Sequence, residues 1–340
     1  MRQLASANHR LISQSLAAHE FGKYKRERKE AVRAVDVNES EALKQILEVW
    51  KPFLFDSLHS DYNIALDIAK GLNYSAKDVE NFSIALAKFQ DETHFDLRAG
   101  VFLSALINNG KDDSYTIRVS HISTKLIYLG YKNTKNVQVY GDLNADVGYG
   151  MKSGLLVVHG EVYARVGTEM KGGKIIINGN MEEMVGSGMN AGEIVINGDV
   201  GAHVGARLKG GKIKINGSVG YKVGEHMHGG EIVIRKNAAS DTGAFMRGGK
   251  IIIKGNAGSG LGDSMDIDGI RRVDGKVIES KVPVIVVHGN AQDYIGENIF
   301  FGRIYLHGKY KKLGNTRHLV HGGIYHKGSA LIERNGDLKS

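Results

Sequence analysis

The sequence predicts an all-β solenoid, a parallel β-helix with 19-residue coils, that follows an N-terminal α-helical domain. Three series of glycines recur every 19 residues between about residues 136 and 323. One series has no break and runs through Gly148, Gly167, Gly186, Gly205, Gly224, Gly243 and Gly262. A fixed period of this length indicates a solenoid, because each repeat buries its apolar face only by stacking on its neighbours.

Apolar ladders at the same spacing identify the strands. Paired isoleucines recur in five consecutive repeats, at Ile175/Ile177, Ile194/Ile196, Ile213/Ile215, Ile232/Ile234 and Ile251/Ile253. The residue between the two isoleucines varies and is Lys214 in one repeat, so the pairs are predicted to point inward and the middle position outward. Valine and methionine series run in the same phase, with Val185 and Met189 as examples. Glycine suits the corners between short strands because it adopts positive φ without steric cost.

A family resemblance rests on these positions. The recurring pattern, seen as Gly160–Gly167–Met170–Gly172–Gly173–Ile175–Ile177–Gly179, resembles the GXGXG repeat domain. That domain forms the C-terminal region of glutamate synthase large subunits and the C subunit of formylmethanofuran dehydrogenase. The resemblance covers a little over half of the chain and implies a right-handed β-helix. It also implies a mainly structural role within an oxidoreductase complex, since in both enzymes the chemistry lies on other domains or subunits.

Composition excludes several kinds of site. The chain has no cysteine, which excludes disulfides, thiolate zinc sites, cysteine-ligated iron–sulfur clusters and cysteine nucleophiles. The absence of cysteine is typical of the cytosol, and a cytoplasmic location is expected. No apolar run reaches about 18 residues, so no membrane span is expected.

The charge is distributed unevenly along the chain. Of the net +8, residues 1–35 carry eight Lys or Arg against three Glu, and residues 36–110 carry six basic against twelve acidic side chains. The remainder is strongly basic. Such a distribution favours contacts between parts of the chain or with anionic partners.

The basic N-terminal segment, residues 1–35, is predicted to be helical. Apolar residues of its first 21 positions share one helical face, and a docked helix or an organelle transit peptide both fit this composition. Residues 22–33 form a basic cluster with two interleaved glutamates. A solvated helix face is the ordinary interpretation of such a run, and nucleic-acid contact is the alternative, although Tyr24 is its one aromatic residue.

A small helical domain is predicted over residues 36–110. The first of its four helices is expected to be capped by Asn38, to carry Leu43, Ile46, Leu47 and Trp50, and to end near Pro52. The other three are expected over about Asp61–Lys70 before Gly71, from a capping box at Ser75–Asp78 onward, and over Phe95–Asn108 before Gly110. Residues 111–136 are expected to form a bridge with a first, irregular coil, because Tyr115–Val119 alternates like a strand. The helical domain is predicted to cover the open end of the solenoid, which would otherwise expose unpaired backbone groups.

The β-helix is predicted over residues 137–332, with an inserted loop of about 20 residues at 263–283. A two-residue hairpin turn is predicted at Val273–Lys276. An insertion that keeps the flanking phase projects from one face, and such loops often carry binding. The candidate interaction residues of this loop are Asp263, Asp266, Asp268, Arg271, Arg272 and Asp274. A calcium-binding EF-hand is rejected, because Ser264 and Gly275 occupy the first and last ligand positions.

Histidines provide the candidate metal ligands. They are the C-terminal group His318, His321 and His326, and the pair His288 and His307, which the period places one coil apart. No acidic ligand stands in phase with either set, so a polar surface ladder or a capped terminus is the ordinary interpretation. At the position equivalent to His288 and His307 in earlier repeats, Asn178, Asn197 and Asn216 are predicted to form a hydrogen-bonded ladder. The methionine series is read as core filling rather than as a soft-metal site.

No cofactor site and no catalytic set are predicted, since the glycines lie between strands and not between a strand and a helix N-terminus. The favoured hypothesis is a scaffold or interaction subunit, not an enzyme by itself, that binds protein partners in a larger complex. Self-association is left open. One alternative is a nucleic-acid-binding protein that uses the basic segment and the basic solenoid. A second alternative is an enzyme with a site at the 263–283 loop or at the C-terminal histidines.

Overall fold

The computed structural model describes residues 40–54, 56–266, 272–273, 276–277 and 282–335. The chain divides into two compact units, and these residues all belong to the second, Val37–Ser340. The predicted basic segment at 1–35 lies outside the described residues. None of the helices in the described ranges is both long enough and apolar enough to span a membrane.

The N-terminal part of this unit is helical. In the described chain the helices are α1 Glu41–Trp50, α2 Leu58–Lys70, α3 Ala76–Ala85, a 3-10 turn Leu86–Phe89, and α4 Phe95–Asn109. The predicted capping box is confirmed: Ser75 accepts a hydrogen bond from the Asp78 backbone, and the Asp78 carboxylate accepts one from the Ser75 backbone.

The predicted cap at Asn38 is wrong. The first helix of the described residues begins at Glu41, and the Ser40 hydroxyl accepts a hydrogen bond from the Leu43 backbone N–H at 3.0 Å. The same hydroxyl donates to Asp78 Oδ1 at 2.5 Å, which ties the starts of α1 and α3 together. Partial burial acts to raise the pKa of Asp78, but the hydrogen bonds from Ser40 and Ser75 outweigh it and hold the pKa below its ordinary value.

The core of the helical region is built around Trp50. Its ring meets Phe82 and Phe102 edge-on at centroid distances of 5.7 and 5.5 Å. The buried Arg98 guanidinium lies 4.5 Å from the ring centroid and pairs with Glu92 at 2.8 Å. A buried cation is stable only when it is paired in this way, so Arg98 locks α4 against the end of α1.

The remaining elements are strands. In chain order the described strands are β1 Ser114–Arg118, β2 Asn136–Tyr140, β3 Leu143–Ala145, β4 Leu155–His159, β5 Val162–Val166, β6 Lys174–Ile177, β7 Met181–Val185, β8 Glu193–Ile196, β9 Val200–Ala202, β10 Lys212–Ile215, β11 Glu231–Ile234, β12 Lys250–Ile253, β13 Arg272–Val273, β14 Lys276–Val277, β15 Val284–Val287, β16 Phe301–Leu306, β17 His321–His326 and β18 Ser329–Asn335.

The described strands form a parallel β-helix, as predicted. The main sheet has 12 strands in the order β1-β2-β4-β6-β8-β10-β11-β12-β15-β16-β17-β18, and all neighbours are parallel except the final pair, β17 and β18. A second parallel sheet joins β3, β5, β7 and β9. Beyond β9 it continues as single bridges through Val219, Ala238, Ala257 and Ala291.

The register follows the sequence period. Ile194, Ile213 and Ile232 lie side by side in adjacent strands, and the strand predicted at Tyr115–Val119 pairs with β2. From β2 to β12, equivalent residues of adjacent coils are 19 apart, whereas those on either side of the insertion are 34 apart. The insertion therefore adds 15 residues, fewer than the roughly 20 predicted, and the flanking coils remain in register.

The interior is filled by the predicted ladders. The isoleucine pairs and the valine and methionine series are buried throughout, with Ile213, Val185 and Met189 as examples at 0% exposure. Gly186, at φ +65°, lines this interior. A Cβ placed there would lie 2.5 Å from Ile213 Cδ1, so the missing side chain makes room for the neighbouring isoleucine.

The helices cover the first strand of the solenoid, as predicted. The Arg118 backbone N–H donates to the Ser83 hydroxyl of α3 at 3.0 Å, and the Arg118 guanidinium pairs with Glu80 at 2.6 Å. On α4, the buried Ser104 hydroxyl donates to the Tyr128 carbonyl and accepts from the Gly130 N–H. The helical region thereby satisfies one backbone N–H of the first strand and backbone groups of the segment between β1 and β2.

Candidate interaction surface

The outward side of the main sheet presents three columns of side chains, which we call the outer face. Because alternate strand residues point to opposite sides, the inward isoleucine pairs leave three outward positions per coil. The first column contains Lys174, Glu193, Lys212, Glu231, Lys250, Val284 and Arg303. The central column contains Ile176, Val195, Lys214, Val233, Ile252, Val286, Tyr305 and Tyr325. The last column contains Asn178, Asn197, Asn216, Arg235, Lys254, His288 and His307.

The first column alternates in charge. In-register stacking places equivalent residues next to each other, so a run of one sign would be repulsive. Lys174 pairs with Glu193 Oε2 at 2.8 Å, and Lys214 pairs with the other oxygen of the same carboxylate. Hydrogen bonds from Lys174 and Lys214 lower the pKa of Glu193. Lys212 and Glu231 form the next pair.

The predicted asparagine ladder is present in the last column. The Asn197 amide donates to Asn178 Oδ1 at 2.6 Å, and the Asn216 amide donates to Asn197 Oδ1 at 2.6 Å. The ladder continues toward the N-terminus, where Asn178 meets the ring of His159 at 3.2 Å and His159 stacks on Tyr140. Each amide thus satisfies the next across one coil spacing, which stabilises the parallel stack.

Sequence reasoning missed a second ladder, which binds the backbone. Side-chain oxygens at one corner accept hydrogen bonds from backbone N–H groups of the next coil, in the pairs Asn180–Asp199, Asp199–Ser218, Asn237–Asn256, Asn256–Asn290 and Asn290–Lys309. The sequence pattern that could have predicted this ladder is an Asn or Asp that recurs two positions after the last-column residue of most coils. Such short polar side chains are suited to satisfying corner N–H groups.

The last column changes character in its C-terminal half, where the asparagines give way to exposed Arg235, Lys254, His288 and His307. The two imidazoles stack with centroids 5.0 Å apart and planes at 13°. Lys254 Nζ lies 3.1 Å from His288 Nε2. Burial, together with the positive charges of Lys254 and His307, lowers the pKa of His288. The lysine ammonium thus contacts Nε2 of His288, and the predicted metal pair His288 and His307 lies beside the two cations Arg235 and Lys254.

The C-terminal histidines engage separate partners. His318 accepts a hydrogen bond from Arg317 Nε at 2.9 Å and stacks on Phe300, whereas His326 bonds the Gly308 carbonyl at 3.0 Å. His321 lies at the start of β17, with its Nε2 buried and without a hydrogen-bond partner. Within the described ranges, no three His, Asp or Glu side chains form a group suited to hold a metal ion.

The predicted interaction loop is described in part. Asp263 accepts a hydrogen bond from the Ser264 hydroxyl at 2.9 Å, and the Asp266 backbone N–H donates to Met246 O. The predicted hairpin is confirmed by the antiparallel pairs Arg272–Val277 and Val273–Lys276. The loop candidates Asp268, Arg271 and Asp274 lie outside the described residues.

The outer face has the chemistry of a binding surface. Its central column is mostly apolar and half-buried, with Val233, Ile252 and Val286 as examples. A charged column flanks it on one side, and a column that is polar and then cationic flanks it on the other. An apolar centre with a polar rim is the usual anatomy of a protein interface. Backbone hydrogen bonds between coils hold these side chains in fixed positions, so binding there requires little ordering of the protein.

A comparison with family models agrees with the repeat. The model of the GXGXG motif family matches residues 92–273, which is more than half of the chain. This segment begins just before α4 and ends within the insertion. A comparison with curated proteins gives no match.

Proposed function

Because this chain belongs to the GXGXG motif family, we propose that it is a non-catalytic interaction subunit of a larger protein complex. In this proposal the solenoid is a glutamate-synthase-like scaffold whose outer face binds a partner protein. An oxidoreductase complex is the class of assembly that the family favours.

The observation that carries the proposal is the apolar central column. Residues in the middle of β6, β8, β11, β12 and β15 are all Ile or Val, although they point away from the interior. Solvent contact alone would favour polar residues there, and Lys214 demonstrates that the position accommodates a long charged side chain. A mostly apolar stripe with a polar and charged rim is typical of a protein-binding surface.

The test compares two variants of the full chain, each tagged and expressed in its natural source. The first, Val233→Lys with Ile252→Lys, places lysines at the strand position that Lys214 occupies in the preceding coil. The control, Tyr163→Lys with Tyr221→Lys, changes two aromatic residues outside the outer face that are 53% and 50% exposed. Thermal denaturation followed by circular dichroism establishes that both variants are folded.

The proposal predicts a protein that co-purifies at fixed stoichiometry with the natural chain and with the control variant. The same protein should be lost from the Val233→Lys, Ile252→Lys variant, because two buried ammonium groups would remain unpaired at the interface. Equal recovery of the partner with both variants would refute the role of the outer face. Recovery of the natural chain alone would refute the subunit role.

A further inference from the structure

We infer that the C-terminal half of the outer face binds an acidic amphipathic α-helix of a partner protein, with the helix axis along the column direction. This half comprises the outward residues of β11, β12, β15 and β16 together with the last-column residues that follow them. The inference rests on the proposed function, and it adds the chemistry and the geometry of the partner.

The charge of this half is the first argument. Arg235 and Lys254 are exposed, and neither forms an ion pair with a carboxylate in the part of the chain that the structure describes. Lys250 stands on the opposite side of the apolar column, in the first column. Glu231, the acidic residue of this half of the first column, is already paired with Lys212. The surface therefore presents cations on both sides of an apolar stripe and attracts an anionic partner.

The width of the face is the second argument. First and last columns are four residues apart along a strand, which at about 3.3 Å per residue places them about 13 Å apart. An α-helix with its side chains is about 10–12 Å in diameter, so it fits between the two columns. Apolar residues at spacings of three and four on such a helix would meet Val233, Ile252, Val286 and Tyr305.

The length of the face sets the size of the partner segment. From β11 to β16 the strands are successive neighbours in the sheet, three steps of about 4.8 Å, or about 14 Å in all. At 1.5 Å per residue this length matches about ten residues of helix, or nearly three turns. Acidic side chains along both flanks of those turns would lie opposite Lys250 on one side and Arg235 and Lys254 on the other.

The stacked rings argue against single-stranded nucleic acid as the occupant. Proteins bind single strands by stacking bases on exposed aromatic faces. Here the faces of Tyr305 and Tyr325 stack on each other at 4.9 Å and 15°, and His288 and His307 do the same at 5.0 Å. One face of each ring is thus covered by its partner, which leaves less aromatic surface for stacking bases. The basic N-terminal residues 1–35 are excluded by the sign of their charge.

The experiment uses the full chain and two fluorescein-labelled peptides of about fifteen residues. Both carry leucines along one helical face, and glutamates flank the leucines in the first peptide, whereas glutamines replace them in the second. Binding is measured by fluorescence anisotropy at low and at moderate salt. The test variant is Arg235→Glu with Lys254→Glu. The control variant, Arg207→Glu with Lys311→Glu, reverses two exposed cations outside the outer face and so has the same net charge.

The acidic peptide should bind the natural chain at least tenfold more tightly than the glutamine peptide, and added salt should weaken this binding. The test variant should lose at least tenfold in affinity, and the control variant should change less than twofold. Equal affinity for the two peptides, or equal losses in the two variants, would overturn the inference.

Two other occupants have distinct outcomes. If a uridine oligonucleotide binds the natural chain more tightly than the acidic peptide does, and the test variant loses this binding, the surface is assigned to nucleic acid. Concentration-dependent self-association in analytical ultracentrifugation, abolished by the same variant, would assign it to a second copy of the chain. Either result overturns the inference. If the peptides fail while the Val233→Lys, Ile252→Lys variant still loses its co-purifying protein, the proposed function stands and only the helix is wrong.

Discussion

Two glycines of the same coil should differ sharply in their tolerance of alanine. Gly186 and Gly188 have nearly equal φ angles, +65° and +62°. A Cβ at Gly186 would lie 2.5 Å from Ile213 Cδ1, whereas the nearest atom to a Cβ at Gly188 is Glu169 Cγ at 3.9 Å. Both alanine substitutions therefore carry the cost of a positive φ, but only the one at Gly186 carries the additional cost of a steric clash.

The magnitudes follow from these two terms. An alanine in the left-handed region costs about 1–2 kcal/mol, which is the whole effect expected for Gly188→Ala. Forcing an extra methyl into a filled core adds about 1–3 kcal/mol. Gly186→Ala should therefore lower the free energy of unfolding by about 2–5 kcal/mol.

A double-mutant cycle with Ile213→Val isolates the clash, because valine lacks the Cδ1 atom. Ile213→Val alone should cost about 0.5–1.5 kcal/mol. Combined with Gly186→Ala it should cost about 1–2 kcal/mol less than the sum of the two single changes, since the two side chains share one space. Combined with Gly188→Ala, the costs should add.

The assay is urea unfolding followed by far-ultraviolet circular dichroism, with every variant compared with the natural chain at one temperature. Equal costs for Gly186→Ala and Gly188→Ala would refute the claim that the interior glycines make room for the isoleucine ladder. Strict additivity of Gly186→Ala and Ile213→Val would refute Ile213 as the obstructing side chain.

Three further outcomes concern the polar columns. Asn197→Asp should lower the free energy of unfolding by about 1–2 kcal/mol in the same urea assay, because the carboxylate no longer donates to Asn178 Oδ1. Lys214→Met should raise the pKa of Glu193 and cost about 0.5 kcal/mol near pH 7. The stabilisation from a lowered carboxylate pKa is present above the unfolded-state pKa and is lost as pH falls through the folded-state pKa. The cost of Lys214→Met should therefore vanish in urea titrations near pH 2. In NMR titrations the natural chain should show a pKa of His288 below about 6.5, and Lys254→Met should raise that pKa. Because the pKa of this histidine is lower in the folded than in the unfolded state, the unfolded state binds more protons as pH falls through about 6.5. His288 should therefore make the fold less stable over that pH range.

The fold was predictable because a solenoid repeats its physical requirements once per coil. Each repeat needs an inward pair such as Ile213 and Ile215 and a corner glycine, so one period in the sequence reports the same constraint many times. The helical region lacks this redundancy. There the cap was predicted at Asn38, whereas the helix is capped by Ser40, whose hydroxyl also donates a hydrogen bond to Asp78, a partner 38 residues away.

The surface was less predictable, because side-chain partners there depend on three-dimensional neighbours. The His288–His307 pair was found from the period, but no pattern in the sequence indicated that Lys254 would contact the ring nitrogen of His288. The backbone ladder through Asn256 and Asn290 was missed for a similar reason. Its residues vary between Asn, Asp and Ser along the chain, and their shared role becomes visible once the corner N–H groups are located.

The change within the last column indicates that stability alone does not explain the outer face. Asn197 and its neighbours satisfy one another, so each added coil gains a hydrogen bond. Arg235 and Lys254 lie one coil apart, on strands that are about 4.8 Å from each other, and like charges at directly opposite positions are unfavourable. A further asparagine at either position would extend the ladder and remove the repulsion. Because the cations weaken the stack that holds them, they are better explained by a negatively charged partner than by the folding of the chain itself.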